Sequence, residues 1–141
     1  MLKGIPHLLS PELLHVLASM GHGDEIVLAD ANFPATTHAK RLIHAPGATV
    51  PALLDAVLTL MPLDTFVAQA ALTMQVVDAP DSVPETVAEC NRVLARHNER
   101  ASSALERFAF YERATSAFAI VATGELRIYG NIILKKGVIA P

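Results

Sequence analysis

The sequence predicts an α/β fold: one domain, residues 1–141, built as an α/β/α sandwich around a mainly parallel or mixed central sheet. Three observations carry this expectation. Short apolar runs of strand length alternate with segments of helical period, turn formers separate them, and no repeat or break in composition divides the chain. Its 141 residues fit one domain with a core large enough to need neither disulfide nor metal.

The elements follow in order. Ser10-Pro11-Glu12 predicts a helix start, with a hydroxyl cap, proline at the first helical position and an acid at the positive end of the dipole. Leu13, Leu14, Leu17 and Met20 form its apolar face, and Gly21 is expected as a left-handed stop. Glu25 to Asp30 reads as a buried strand that delivers a carboxylate at its end, followed by a turn at Asn32-Phe33-Pro34. Leu42-Ile43-His44 predicts a second short strand. From Pro51 to Met61, Leu53, Leu54, Val57, Leu58 and Met61 recur at helical spacing with Asp55 as the only charge, so this helix is either central or at a subunit contact. Ala71 to Val77 predicts another buried strand. Asp81 or Ser82 with Pro84 opens a helix with Val83, Val87, Cys90 and Leu94 inward and Glu85, Glu89, Arg92 and Arg96 outward. After the polar stretch 97–103, Phe108 to Ser116 predicts a helix, Ala117 to Thr123 a strand, Gly124-Glu125 a turn and Asn131 to Leu134 a last strand.

Composition narrows the function. Hydrophobic residues make up 52% and charged residues 18%, with mean hydropathy +0.38, which excludes a disordered chain. So few charges leave apolar surface for another subunit to cover, and self-association is expected. The 11 basic and 14 acidic residues give −3, and no basic run exceeds Lys135-Lys136, so nucleic acid and anionic membranes are poor partners. The longest stretches free of Asp, Glu, Lys and Arg, Leu42 to Leu54 and Thr65 to Val77, are too short to span a bilayer. The first residues show no basic segment followed by an apolar core, and Cys90 has no partner, so a reducing, cytoplasmic setting is expected.

Two regions could carry chemistry. His22 lies between Gly21 and Gly23, which leave its imidazole open to a ligand; the plainer reading is a surface or capping histidine. Asp30 would lie beyond the C-terminal edge of a parallel sheet, where ligands gather, although acids there also make turns. The second region, Arg107 to Arg113 followed by Tyr129-Gly130-Asn131, contains both tyrosines and suits a sugar, whose C–H faces pack on aromatic rings while hydroxyls meet Asp, Asn and Arg. The plainer reading puts Phe108 and Phe118 in the core and Arg107 and Arg113 on a solvated face. The six histidines show no zinc spacing, no glycine-rich nucleotide motif is complete, and Cys90 falls on an apolar helix face, so no metal, nucleotide or covalent chemistry is expected.

At these residues the sequence resembles the L-fucose mutarotase family, related to the D-ribose pyranases. The resemblance is carried by Gly21 to Ala35 (GHGDEIVLADANFPA), Arg107 to Ala114 (RFAFYERA), Thr123-Gly124-Glu125 and Tyr129 to Val138 (YGNIILKKGV). It implies an enzyme that equilibrates the α and β anomers of L-fucose, and pyranose and furanose forms of related aldoses such as ribose. His22 stands in the position of the general acid, with Asp30, Arg107, Tyr129, Gly130 and Asn131 on the sugar. Phe110-Tyr111 and Gly130 favour the fucose branch. Leu105-Glu106 departs from the pair expected before Arg107. The resemblance also implies a ring-shaped homo-oligomer, often a decamer, with sites near subunit contacts.

Ring opening needs a proton delivered to the ring oxygen and one removed from the anomeric hydroxyl, and an imidazole can exchange both near neutral pH without cofactor or metal. His22 is then the catalyst, and Tyr111 or Tyr129 assists at the anomeric oxygen. The competing reading is a non-catalytic monosaccharide-binding or transport-accessory protein; a purely structural scaffold is a third.

Overall fold

Six strands form one sheet in the computed structural model, which describes residues Met1–Pro141. In chain order the elements are α1 (Pro11–Ser19), β1 (Glu25–Ala29), α2 (Ala35–His38), β2 (Leu42–Ala45), α3 (Val50–Leu58) and β3 (Ala71–Met74). They continue with α4 (Glu85–Arg96), β4 (Ser103–Leu105), α5 (Arg107–Ser116), β5 (Ala119–Thr123) and β6 (Ile132–Lys135). The strand order is β2-β5-β1-β6-β3-β4. Only β6 runs antiparallel to its neighbours, β1 and β3; the other pairings are parallel. The sheet is therefore mixed.

Both faces are covered, as apolar strands require. Along β1, Ile26 and Leu28 face one cluster with α1, α3 and α4, while Val27 and Ala29 face another with α2 and α5. These are the three layers of an α/β/α sandwich. Helix α3 is central: Leu53, Leu54 and Val57 are fully buried, each burial worth about 1.5–3 kcal/mol. Ser10 caps α1 as expected, its Oγ accepting the Leu13 N–H at 3.1 Å, with proline at the helix start. No helix is long and apolar enough to cross a membrane.

Several local expectations are corrected. Helix α1 ends through an extended Met20; the left-handed residue is Gly23 (φ 86°), and Lys136 Nζ donates to the free carbonyls of Leu17 and Met20 at 2.7 and 2.6 Å. Strand β3 stops at Met74, because the chain turns back through a Val76–Ala79 bridge with Asp78 left-handed. Helix α4 starts at Glu85 with no side-chain cap, so Val83 lies outside it and is exposed. Phe108 is 66% exposed, because its position on α5 faces away from the sheet, whereas Phe110 on the inward side is fully buried. Arg113 is not simply solvated: its Nη2 and Nε donate to Glu25 at 2.6 and 3.0 Å, tying α5 to the start of β1. Strand β4 and the single turn α2 are additional elements.

Candidate active site

All parallel strands end at one edge of the sheet, and β6 begins there. Asp30 follows β1 directly, Arg107 opens α5 just after β4, and Tyr129-Gly130-Asn131 leads into β6. Asp30, Asn32, Phe33, Met74, Arg107, Tyr111, Ile128, Tyr129 and Asn131 line one cavity of about 230 Å³. That is below the roughly 300 Å³ at which drug-sized sites begin, and suits one small ring.

Asp30 organises this cavity. Its backbone N–H donates to Asn131 Oδ1 at 2.8 Å, while its carboxylate accepts the N–H of Asn32 at 2.9 Å and of Gly130 at 3.1 Å. Burial pushes the Asp30 carboxyl above its ordinary value, against the downward pull of those N–H groups. Gly130 itself packs tightly: a Cβ there would lie 3.0 Å from Glu125 Cγ and 3.2 Å from Thr86 Cγ2. Tyr129 is left-handed (φ 59°), unusual for a bulky residue, and its hydroxyl accepts the Val77 N–H at 3.3 Å.

The other wall is aromatic. Tyr111 stacks on His38 with centroids 5.3 Å apart and packs against Phe33 at 5.6 Å, and Phe33 meets Phe110 edge-on. Glu106 caps α5, its carboxylate accepting the N–H groups of Phe108 and Ala109 at 2.9 and 3.1 Å. The departure at Leu105-Glu106 thus keeps Arg107 at the first helical position, where its guanidinium lies 4.7 Å over the Phe108 ring.

His22 lies elsewhere. It precedes β1, at the opposite end of the sheet from Asp30, and five strand residues at ~3.3 Å each put it about 17 Å from that edge. Its Nε2 lies 3.2 Å from Asp64 Oδ1, and its ring packs against Phe66 at 5.5 Å. Asp64 also accepts the Phe66 N–H at 2.9 Å, and this bond and the imidazole hold the Asp64 carboxyl below its ordinary value. Strand β6 fixes both residues: Gly23 N–H donates to the Lys136 carbonyl and Asp64 N–H to the Lys135 carbonyl, at 2.8 and 3.0 Å. Sequence reasoning missed Asp64 and Phe66. The only available signal was an acid ending an apolar segment at Met61-Pro62-Leu63-Asp64.

No group of three or more His, Cys, Asp or Glu side chains could hold a metal. Cys90 is buried, and burial pushes its thiol up to about 12, so it offers no thiolate.

Fold and cavity together define a three-layer α/β/α protein with one small, polar and aromatic cavity at the C-terminal end of its parallel strands. Comparison with known proteins narrows the class. The chain belongs to the RbsD / FucU transport protein family, whose model matches residues 3–139. It is 53% identical over 146 residues to the fucose mutarotase of Bos taurus, covering 99% of this chain and 95% of that one. The fucose mutarotase of Streptococcus pneumoniae, solved in complex with L-fucose, superposes with a TM-score of 0.93 at 48% identity, covering 99% of this chain and 100% of that one. Bacillus subtilis RbsD, solved with D-ribose, shares the fold at a TM-score of 0.78 and 24% identity over 99% of this chain and 100% of that one.

Proposed function

We propose that this protein is an isomerase that interconverts the α and β anomers of L-fucose. The observation that carries the reading is the cavity at the sheet edge. A buried acid, a guanidinium, an amide and two tyrosines converge there, in a chain about half identical to fucose mutarotases over its full length.

In this mechanism Asp30, Arg107 and Asn131 hold sugar hydroxyls, and the Phe33–Tyr111 wall takes a C–H face. Met74 and Ile128 give the cavity an apolar side suited to the methyl group of a 6-deoxy sugar. A proton passes from His22 to the ring oxygen as the anomeric hydroxyl releases one to solvent through the hydroxyl of Tyr111 or Tyr129, which passes its own proton on as it accepts the sugar's. The ring opens to the aldehyde, C1–C2 rotation exposes the other face, and both transfers reverse. No atom is gained or lost, and the chemistry requires no cofactor. Ribose and related aldoses share the same steps.

A general acid must come within about 2.6–3.2 Å of its proton acceptor. His22 meets that demand if a second copy brings its His22 end against the cavity of the first. Exposed apolar side chains stand at both surfaces: Phe66 beside His22, and Leu126 and Ile128 beside Tyr129, at 76%, 80% and 65% exposure. Such a head-to-tail contact closes into a ring when the rotation from copy to copy divides a full turn. A ring-shaped homo-oligomer, a decamer as the family resemblance implies, and a cytoplasmic location complete the proposal.

Saturation-transfer NMR on L-fucose tests it. Added protein should carry saturation from the α to the β anomeric proton, and an unchanged exchange rate overturns the enzyme reading. Affinity for fucose without exchange would mark a binding protein.

A further inference from the structure

The loop between β5 and β6 carries Tyr129, Gly130 and Asn131 to the cavity, and although its two ends are buried, its middle is not anchored by aliphatic packing. Leu126 and Ile128, its two large aliphatic residues, are both exposed in the chain. Its path instead passes through Arg127. The guanidinium grips Glu125 through Nε at 2.8 Å and Nη2 at 3.0 Å, and grips Glu89 of α4 through Nη1 at 2.8 Å and Nη2 at 3.2 Å. The Arg127 backbone N–H also donates to Glu125 Oε1 at 3.1 Å. Glu125 is almost wholly buried, its backbone carbonyl accepting the N–H of Ala31 next to Asp30 at 2.8 Å. One planar fork thus joins a surface helix, the floor of the loop and the neighbour of Asp30, a geometry that the point charge of lysine cannot reproduce.

Two residues further on, Tyr129 is held left-handed, a conformation that persists only where the surroundings over-determine it. Gly130 then packs on the Glu125 side chain that Arg127 immobilises. We propose that Arg127, clamped between Glu89 and Glu125, is a positioning residue of the sugar site that sets where the Tyr129 ring stands in the cavity. The inference rests on the reading of that cavity as the sugar site. A bridge of this kind need not stabilise the fold, since desolvation offsets the attraction, so its use lies in selecting one loop path.

The test is Glu89→Gln, which weakens one arm without stranding the buried Glu125, alongside Arg127→Lys, which keeps the charge and loses the fork. With fluorotyrosine incorporated, the two tyrosines give two ¹⁹F signals, assigned through Tyr111→Phe. In both variants the Tyr129 signal should shift and broaden while the Tyr111 signal stays. The KM for L-fucose should rise about five- to tenfold, with kcat falling less, as expected when substrate positioning is lost. A Tyr129 signal and a KM that match those of the unmodified protein, with or without a loss of melting temperature, would overturn the clamp. If the unmodified protein exchanges no anomers, the enzyme reading fails, and the Tyr129 signal with L-fucose affinity still decides the positioning role.

Discussion

Asp30 bonds to Asn32, Gly130 and Asn131, and so fastens the start of β6 to the end of β1 while its carboxyl faces the cavity. Its position was legible because an acid that ends a strand-length apolar run lies beyond the C-terminal end of its strand once the sheet is mainly parallel. Arg107, Tyr111, Tyr129 and Asn131 meet it there, though they come from segments far apart in the chain. The His22–Asp64 contact was not legible, since Asp64 reaches His22 only through the pairing of its segment with the end of β6. Replacing His22 by alanine should lower anomer exchange by about 10²- to 10⁴-fold, the usual worth of a positioned acid–base group, with the circular dichroism spectrum unchanged. Its exposed side chain contributes little to the core, so the loss should appear in rate and not in folding.

Strand β6 is the element that links the two surfaces. It starts at the cavity beside Asn131, and its far end holds the loops of His22 and Asp64 through the carbonyls of Lys136 and Lys135. Lys136, the residue that follows it, also secures α1, because its Nζ donates to two carbonyls of that helix end. Lys136→Met should therefore cost about 1.5–3 kcal/mol in urea unfolding at fixed protein concentration, the range for hydrogen bonds to a charged group. Long periodic elements were legible: α1, α3, β1 and β5 carry their own caps, apolar faces or buried runs. Strand β4 was not, since Ser103-Ala104-Leu105 has no strand pattern and forms only by pairing with Leu72–Met74 at the sheet edge. Helix α2 is one turn, too short for a period to register. Glu125 gave only a turn signal and Arg127 none, because the bond from Arg127 to Glu89 depends on how α4 packs.

At the scale of the whole molecule, the hydrophobic excess and the separation of His22 from the cavity have one explanation. In the proposed arrangement each chain supplies two different half-sites, one at each end of its sheet, and a head-to-tail ring brings unlike halves together. The low charge content of the sequence suggested a covered surface, and the exposed Phe66, Leu126 and Ile128 locate where that cover would fall. Mixing two inactive variants tests the arrangement directly. His22→Ala and Asp30→Asn, each impaired alone, are combined in equal amounts, unfolded, refolded together and assayed for L-fucose anomer exchange. Random assembly gives about a quarter of the seams an intact His22 half and an intact Asp30 half, so about a quarter of the unmodified rate should return. A mixture that assembles and remains as slow as its components would contradict a site shared between copies.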